Sequence, residues 1–392
     1  MIDFDFDTRS NRGGTGATKW TRYGPDDRDE MLPFWVADMD FQVAPVIQEA
    51  LQARLDHGFF GYSEPTAGLS EAFIEWLRAQ YAWQVHEDWL VWLPGVVPGF
   101  NLACAVLEEQ SASIMMNTPV YYPFLDAPQN MGHRPIYVPL TQDTSRPAEI
   151  DFDLMRTRLE KDTRMFLACN PQNPTGRVYS KNELKKLAEF CLAHDLLICS
   201  DEIHSPLVLD TKCAHHAIAT VVPDIESKLI ALFAPSKAWN FAGLGCGVAV
   251  IPDARLRTRF RAAHNGFVPM MNPMSMTAAE AAYRHGEPWR QALLAYLRDN
   301  HRILHERVNT LPGIHMHAVE GTYLAWIDVS SLQLSSPAQW LRSFGIALSE
   351  GAQFQGPGYV RFNFACPRSM LREGIERFET GVRTANERGG SA

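Results

Sequence analysis

Apolar residues along this chain come in short unbroken runs rather than in alternation. "WLVWL" (89–93), "ASIMMN" (112–117), "RMFLAC" (164–169), "LLICS" (196–200), "KLIALFA" (228–234) and "GVAVI" (247–251) read as strands covered on both faces. Between them the period changes. Over 181–194, "KNELKKLAEFCLAH", Leu184, Leu187, Ala188 and Cys191 recur at helical spacing. Strands separated by helices predict an α/β fold with a mostly parallel, doubly wound sheet. Residues 289–310 predict a long helix bridging to a second domain. After it, "TYLAWIDV" (322–329) and "YVRFNFA" (359–365) predict strands of a smaller α+β domain. The glycine- and polar-rich stretch 9–19 predicts irregular structure, and the tail "ANERGGSA" a disordered end.

Composition sets limits on this picture. The 392 residues are 46% hydrophobic and 21% charged, enough for a large core. A net charge of −9 argues against nucleic acid or an anionic membrane as partner, but not against a small anionic ligand. The seven cysteines include no CxxC pair and lie mostly in apolar runs, as buried thiols in a reducing cytoplasm do. No stretch approaches the ~18 apolar residues of a membrane span. The expectation is a soluble, cytoplasmic protein.

Ligands of such sheets bind beyond the carboxyl ends of the strands. Five segments fall there: "PGVVPG" (94–99), "NTPVYY" (117–122), "NPQNPTG" (170–176), "DEIH" (201–204) and "PSK" (235–237). Gly95 opens a turn into a helix expected to start near Pro98. The free N–H groups of Gly95, Val96 and Val97 suit a phosphate, although glycine turns before helices are common. Tyr121 or Tyr122 could lie over a flat ligand or pack in the core. In "NPQNPTG" two prolines and a threonine–glycine pair restrain the chain and fix Asn170 and Asn173. Asp201 ends a buried strand and needs a cationic partner. Lys237 follows an apolar strand and precedes small residues. A partly desolvated lysine there has a lowered pKa and serves as a nucleophile or Schiff base. Each feature alone has an ordinary structural reading. Together they fit pyridoxal phosphate, which needs a lysine imine, a phosphate cup and a carboxylate facing its ring nitrogen. His215–His216 has no metal-ligand spacing, and Met270, Met271, Met274 and Met276 suit a ligand wall or loop packing equally.

These motifs resemble those of the fold-type I pyridoxal-phosphate enzymes of the aminotransferase class. Within the class the chain looks most like the cystathionine β-lyase (C–S lyase) group of MalY and PatB. "NPQNPTG", "SDEIH" (200–204) and "APSKAWN" (234–240) carry the class. "KW" (19–20), "WVADMDF" (35–41), "FGYSEP" (60–65), "GTYLAWID" (321–328) and "VRFNFACPR" (360–368) carry the group. The resemblance implies an N-terminal segment 1–45 joining the small domain, a cofactor domain 46–286 and a small domain 287–392. It makes Lys237 the cofactor lysine and mover of the substrate Cα proton, and Asp201 the partner of the ring nitrogen. Asn173 meets the ring oxygen and the substrate, Tyr121 stacks on the ring, and His204 stands where many aminotransferases carry tyrosine. Gly95, Val96, Val97 and Ser236 contact the phosphate. Tyr62 reaches the site of a second subunit, making the working unit a homodimer, and Arg361 holds the substrate carboxylate. Many aminotransferases carry a phosphate-binding arginine eight residues after the lysine; here Gly245 stands there, and Ala238 follows the lysine. The activity implied is β-elimination from L-cystathionine or related cysteine S-conjugates. An aminotransferase shares the first steps, and a regulatory protein could keep the fold to bind a partner.

Overall fold

The structure, a computed structural model, describes residues 4–23, 31–109, 111–141 and 147–389. Seven strands form the central sheet: Leu90–Leu93 (β1), Ser113–Thr118 (β2), Arg134–Pro139 (β3), Thr163–Cys169 (β4), Leu197–Asp201 (β5), Leu229–Phe233 (β6) and Gly247–Val250 (β7). Their order is β1-β7-β6-β5-β4-β2-β3, and only β7 runs antiparallel to its neighbours. The unbroken apolar runs follow from this. In β6, Leu229, Ala231 and Phe233 enter one core, while Ile230 and Leu232 enter the core on the opposite face. Helix Lys181–Ala193 forms on the predicted stripe and starts at a capping box of Ser180 and Glu183.

The sequence pattern misses β3. "RPIYVP" alternates in exposure and carries a proline at each end of its interior, marks of an edge strand. The bridging helix is Glu287–Val308. Beyond it lies a second sheet of His315–Met316 (β8), Leu324–Asp328 (β9), Ser349–Glu350 (β10) and Tyr359–Asn363 (β11), ordered β10-β11-β9-β8 and antiparallel throughout. The N-terminal segment joins this end of the molecule: Leu32–Pro33 pairs in parallel with Ile346–Ala347.

Two expectations about the ends are corrected. The stretch 9–19 is turn-rich, but it leads into the short helix Thr18–Thr21, and Lys19 is buried. Most of the supposed disordered tail is helical: Ala385 to Gly389 belong to helix Arg368–Gly389, whose apolar face buries Leu371, Ile375, Phe378 and Val382. Residues 390–392 lie outside the described residues. Met271 and Met276 are core residues, whereas Met270 is exposed. All seven cysteines are free thiols. Among the described residues, no helix is long and apolar enough to cross a membrane.

Candidate active site

The carboxyl edge of the central sheet gathers Asp201, His204, Asn173, Tyr121 and Lys237, and the second sheet adds Arg361. Helix Val96–Ala105 starts two residues earlier than the sequence predicts, with Gly95 at its N-cap and no side chain capping it. Its first N–H groups are therefore left for a ligand. Val96 is buried and Val97 exposed. β7 passes so close beneath that a Cβ on Gly247 would stand 2.9 Å from the Gly95 carbonyl carbon. Gly245 has φ +71°, and a Cβ there would meet the Pro94 carbonyl oxygen at 2.8 Å. The backbone thus admits no arginine in that place.

The "NPQNPTG" loop separates its two asparagines by task. Asn170 is structural: its Oδ1 accepts from Tyr179 N–H at 2.9 Å, and its amide faces His215 Nδ1 at 3.4 Å. Gln172 braces the turn by accepting from Thr175 N–H at 2.9 Å. Asn173 is left to face the site, where its Oδ1 accepts from Arg361 Nη1 at 2.9 Å. Arg361 is buried on β11, donates from Nη2 to Trp35 O at 2.8 Å, and lies over the Phe354 ring at 4.7 Å. Its Nε has no hydrogen-bond partner among the described residues. Burial lowers its pKa to about 10, yet it remains a cation at neutral pH.

Asp201 Oδ1 accepts from Ile203 N–H at 3.0 Å, and no side-chain cation pairs with Asp201 among the described residues. Burial raises its pKa to about 7. The carboxyl lacks a cationic partner, the condition that a protonated ring nitrogen would meet. His204 is buried, its Nδ1 has no partner among the described residues, and burial, with the Lys237 and Arg361 cations, lowers its pKa to about 3. It is a neutral imidazole offering one free nitrogen. Lys237 Nζ donates to Ala37 O at 2.6 Å. Burial lowers its pKa to about 8, Asp38 and Asp201 opposing and Arg361 assisting. Ser236 is buried in the same turn, and Tyr121 stands at the N-cap of helix Tyr122–Asn130, half-buried. Tyr62 is not brought to these groups; it is fully exposed near exposed Phe59 and Phe60.

An unpartnered acid, an uncapped helix start, orphaned nitrogens on His204 and Arg361, and a lysine with lowered pKa fit the pyridine ring, phosphate and aldehyde of pyridoxal phosphate. Sequence reasoning gave no role to Tyr323 or the 35–41 segment. Tyr323 is wholly buried, and its OH donates to Ala37 O at 3.0 Å. Two acids beside a buried Lys19 were the available signal: Asp40 Oδ2 accepts from Lys19 Nζ at 2.6 Å. His215 also gains a partner that sequence spacing did not give, Glu202 Oε2 at 2.8 Å.

A fold with a doubly wound cofactor sheet, a second antiparallel sheet and a lysine at the carboxyl edge defines the class. The family model of aminotransferase class I and II matches residues 30–378, and the chain belongs to that family. Among curated relatives, cystathionine beta-lyase PatB of Bacillus subtilis is 34% identical, covering 96% of this chain and 100% of its own. Among solved structures, that of OvoB has a TM-score of 0.93 at 40% identity, covering 97% of this chain and 99% of its own. Cystalysin from Treponema denticola, described as containing a pyridoxal 5'-phosphate cofactor, has a TM-score of 0.92 at 30% identity and covers 98% of this chain and 100% of its own.

Proposed function

We propose that this protein is a pyridoxal-phosphate-dependent C–S β-lyase, cleaving L-cystathionine or a related cysteine S-conjugate to a thiol, pyruvate and ammonia. The observation that carries the reading is the meeting of Lys237, Asp201 and Arg361 at one sheet edge in a chain alike, end to end, to cystathionine β-lyases. Pyridoxal phosphate supplies an aldehyde for amine exchange and a ring that accepts electron density from the substrate Cα. The chain's residues do the rest. Lys237 would hold the aldehyde and would serve as the base for the substrate Cα proton; its lowered pKa leaves a usable share of amine near neutral pH. Asp201 would face the ring nitrogen and Tyr121 the ring. Asn173 and His204 would serve the ring oxygen side, and Gly95, Val96, Val97 and Ser236 the phosphate. Arg361 binds the substrate carboxylate, held square by Asn173 and the Trp35 carbonyl. His204, in place of a tyrosine, favours the lyase over an aminotransferase.

The same reading divides the chain at 1–45, 46–286 and 287–392, and places the protein in the cytoplasm, in keeping with its free thiols. It makes the working unit a homodimer in which Tyr62 serves the second subunit's phosphate. Exposed Leu55, Phe59, Phe60 and Tyr62 support this, since soluble monomers rarely leave such neighbours uncovered. Borohydride reduction of the cofactor-loaded protein should leave a pyridoxyl mass on Lys237, and a cysteine S-conjugate should yield its thiol. Absence of either result rejects the reading.

A further inference from the structure

The segment Trp35–Phe41 is tied down one carbonyl at a time. Trp35 O accepts from Arg361 Nη2 at 2.8 Å and from Ser349 Oγ at 2.8 Å. The Asn363 amide donates to Val36 O at 2.5 Å and to Asp38 O at 2.6 Å. The Asn240 amide donates to Met39 O at 3.1 Å and Phe41 O at 2.7 Å, and Asn240 Oδ1 accepts from Met39 N–H at 2.9 Å. Asp38 and Asp40 are anchored by Arg12 and buried Lys19. Within this row one carbonyl, that of Ala37, meets Lys237 Nζ at 2.6 Å and Tyr323 OH at 3.0 Å.

The anchors belong to the two halves of the site. Asn240 lies three residues after Lys237, on the same turn, and Asn363 two residues after Arg361, on the same strand. We propose that this segment is a strap which presents the Ala37 carbonyl to the free side chain of Lys237, with Asn240 and Asn363 as positioning residues and Tyr323 as a competing donor for that carbonyl. The inference rests on the reading that Lys237 carries the cofactor.

A carbonyl accepts from an ammonium more strongly than from an amine, so the strap favours the charged form of the freed lysine. In the reaction this makes Ala37 the resting place of Lys237 after it takes the Cα proton. Tyr323 already draws on the same oxygen and tempers that preference. The other groups facing Lys237 are Asp38 and Asp201, which favour the cation, and Arg361, which disfavours it. Neutral His204, packed edge-on against Tyr323, adds no charge at the pH of the test.

The two kinds of change should therefore act in opposite directions. Tyr323→Phe leaves the oxygen wholly to Lys237 and favours the cation. Asn363→Ala frees the strap, withdraws both the Ala37 carbonyl and Asp38, and favours the amine. Asn240→Gly should act like Asn363→Ala. Glycine keeps the left-handed conformation of Asn240 (φ +59°), so this variant tests the same link should Asn363→Ala fail to fold.

The test uses full-length, cofactor-free protein. The rate of yellow-band formation with added pyridoxal phosphate is followed against pH, because only the amine reacts. The wild-type midpoint should lie at about pH 8. Tyr323→Phe should raise it by about half a pH unit, and Asn363→Ala or Asn240→Gly should lower it by about as much, each a roughly threefold change in reactive amine below the midpoint. Shifts of opposite sign support the strap; unchanged midpoints, or shifts all of one sign, overturn it. A pyridoxyl mass that Lys237→Ala retains as fully as wild type after borohydride reduction and denaturation would instead reject the underlying cofactor assignment.

Discussion

Arg361 and Asn173, 188 positions apart in sequence, meet through a 2.9 Å hydrogen bond that joins the second sheet to the loop following β4. The bond orients a guanidinium whose Nε has no partner among the described residues. Arg361→Ala removes the proposed carboxylate clamp. A charge-assisted hydrogen bond contributes about 1.5–3 kcal/mol, so kcat/KM for cystathionine should fall at least roughly ten- to a hundredfold. Arg361→Lys should recover only part of the loss, because an ammonium lacks the planar fork. An absorption scan should show the cofactor band unchanged in both. Wild-type kcat/KM in Arg361→Ala would place the substrate carboxylate elsewhere.

Asp201 should cost the empty protein stability. Its carboxyl keeps a proton up to about pH 7 when folded, against an ordinary value of 3.8. The folded state therefore binds the extra proton between these limits, and the stability it gives is present below pH 3.8 and lost as pH rises through 7. Cofactor-free Asp201→Asn should melt above cofactor-free wild type at pH 8, by about 1 °C per kcal/mol relieved. The two should converge near pH 4. With cofactor, the same variant should lose about a hundredfold or more in kcat, because the amide cannot hold a ring-nitrogen proton. Thermal scans at the two pH values and steady-state rates check both halves.

Gly245 should resist replacement. An L-residue in its left-handed conformation costs about 1–2 kcal/mol, and its Cβ would press on Pro94 O. Gly245→Ala should lower the melting temperature, and Gly245→Arg should weaken rather than tighten pyridoxal phosphate binding, because it displaces the Pro94–Gly95 backbone of the proposed phosphate cup. Equilibrium titration with the cofactor measures this; tighter binding in Gly245→Arg would show that the cup tolerates the side chain.

Tyr62 lends itself to complementation. Inactive Tyr62→Phe and inactive Lys237→Ala chains, mixed and reassembled, should regain part of the wild-type rate, since one site of each hybrid dimer is then intact. Mass measurement of the hybrids guards the negative result. Hybrids that form without regaining activity would mean that Tyr62 serves its own subunit.

Much of this architecture was legible because parallel strands buried on both faces leave unbroken apolar runs, as β4, β5 and β6 do. β3 was not, since its prolines and alternating exposure resemble a loop. The candidate site was legible where several motifs converge beyond the strand ends, as with Asp201 and Lys237. It was opaque where a main-chain atom acts, because no side chain marks the Ala37 carbonyl. The division between Asn170 and Asn173 was hidden too: both occur in the same Asn-Pro setting, and only the Tyr179 and Arg361 contacts separate them.

The central claim is carbon–sulfur cleavage at a lysine-bound cofactor, and a count of products per site tests it most directly. Purified, cofactor-loaded protein is incubated with L-cystathionine and no keto acid, and pyruvate, ammonia and thiol are measured over time. The account predicts equal amounts of all three, rising linearly through many turnovers per site, with none from Lys237→Ala. A single turnover that stops until a keto acid is added would contradict it and identify an aminotransferase.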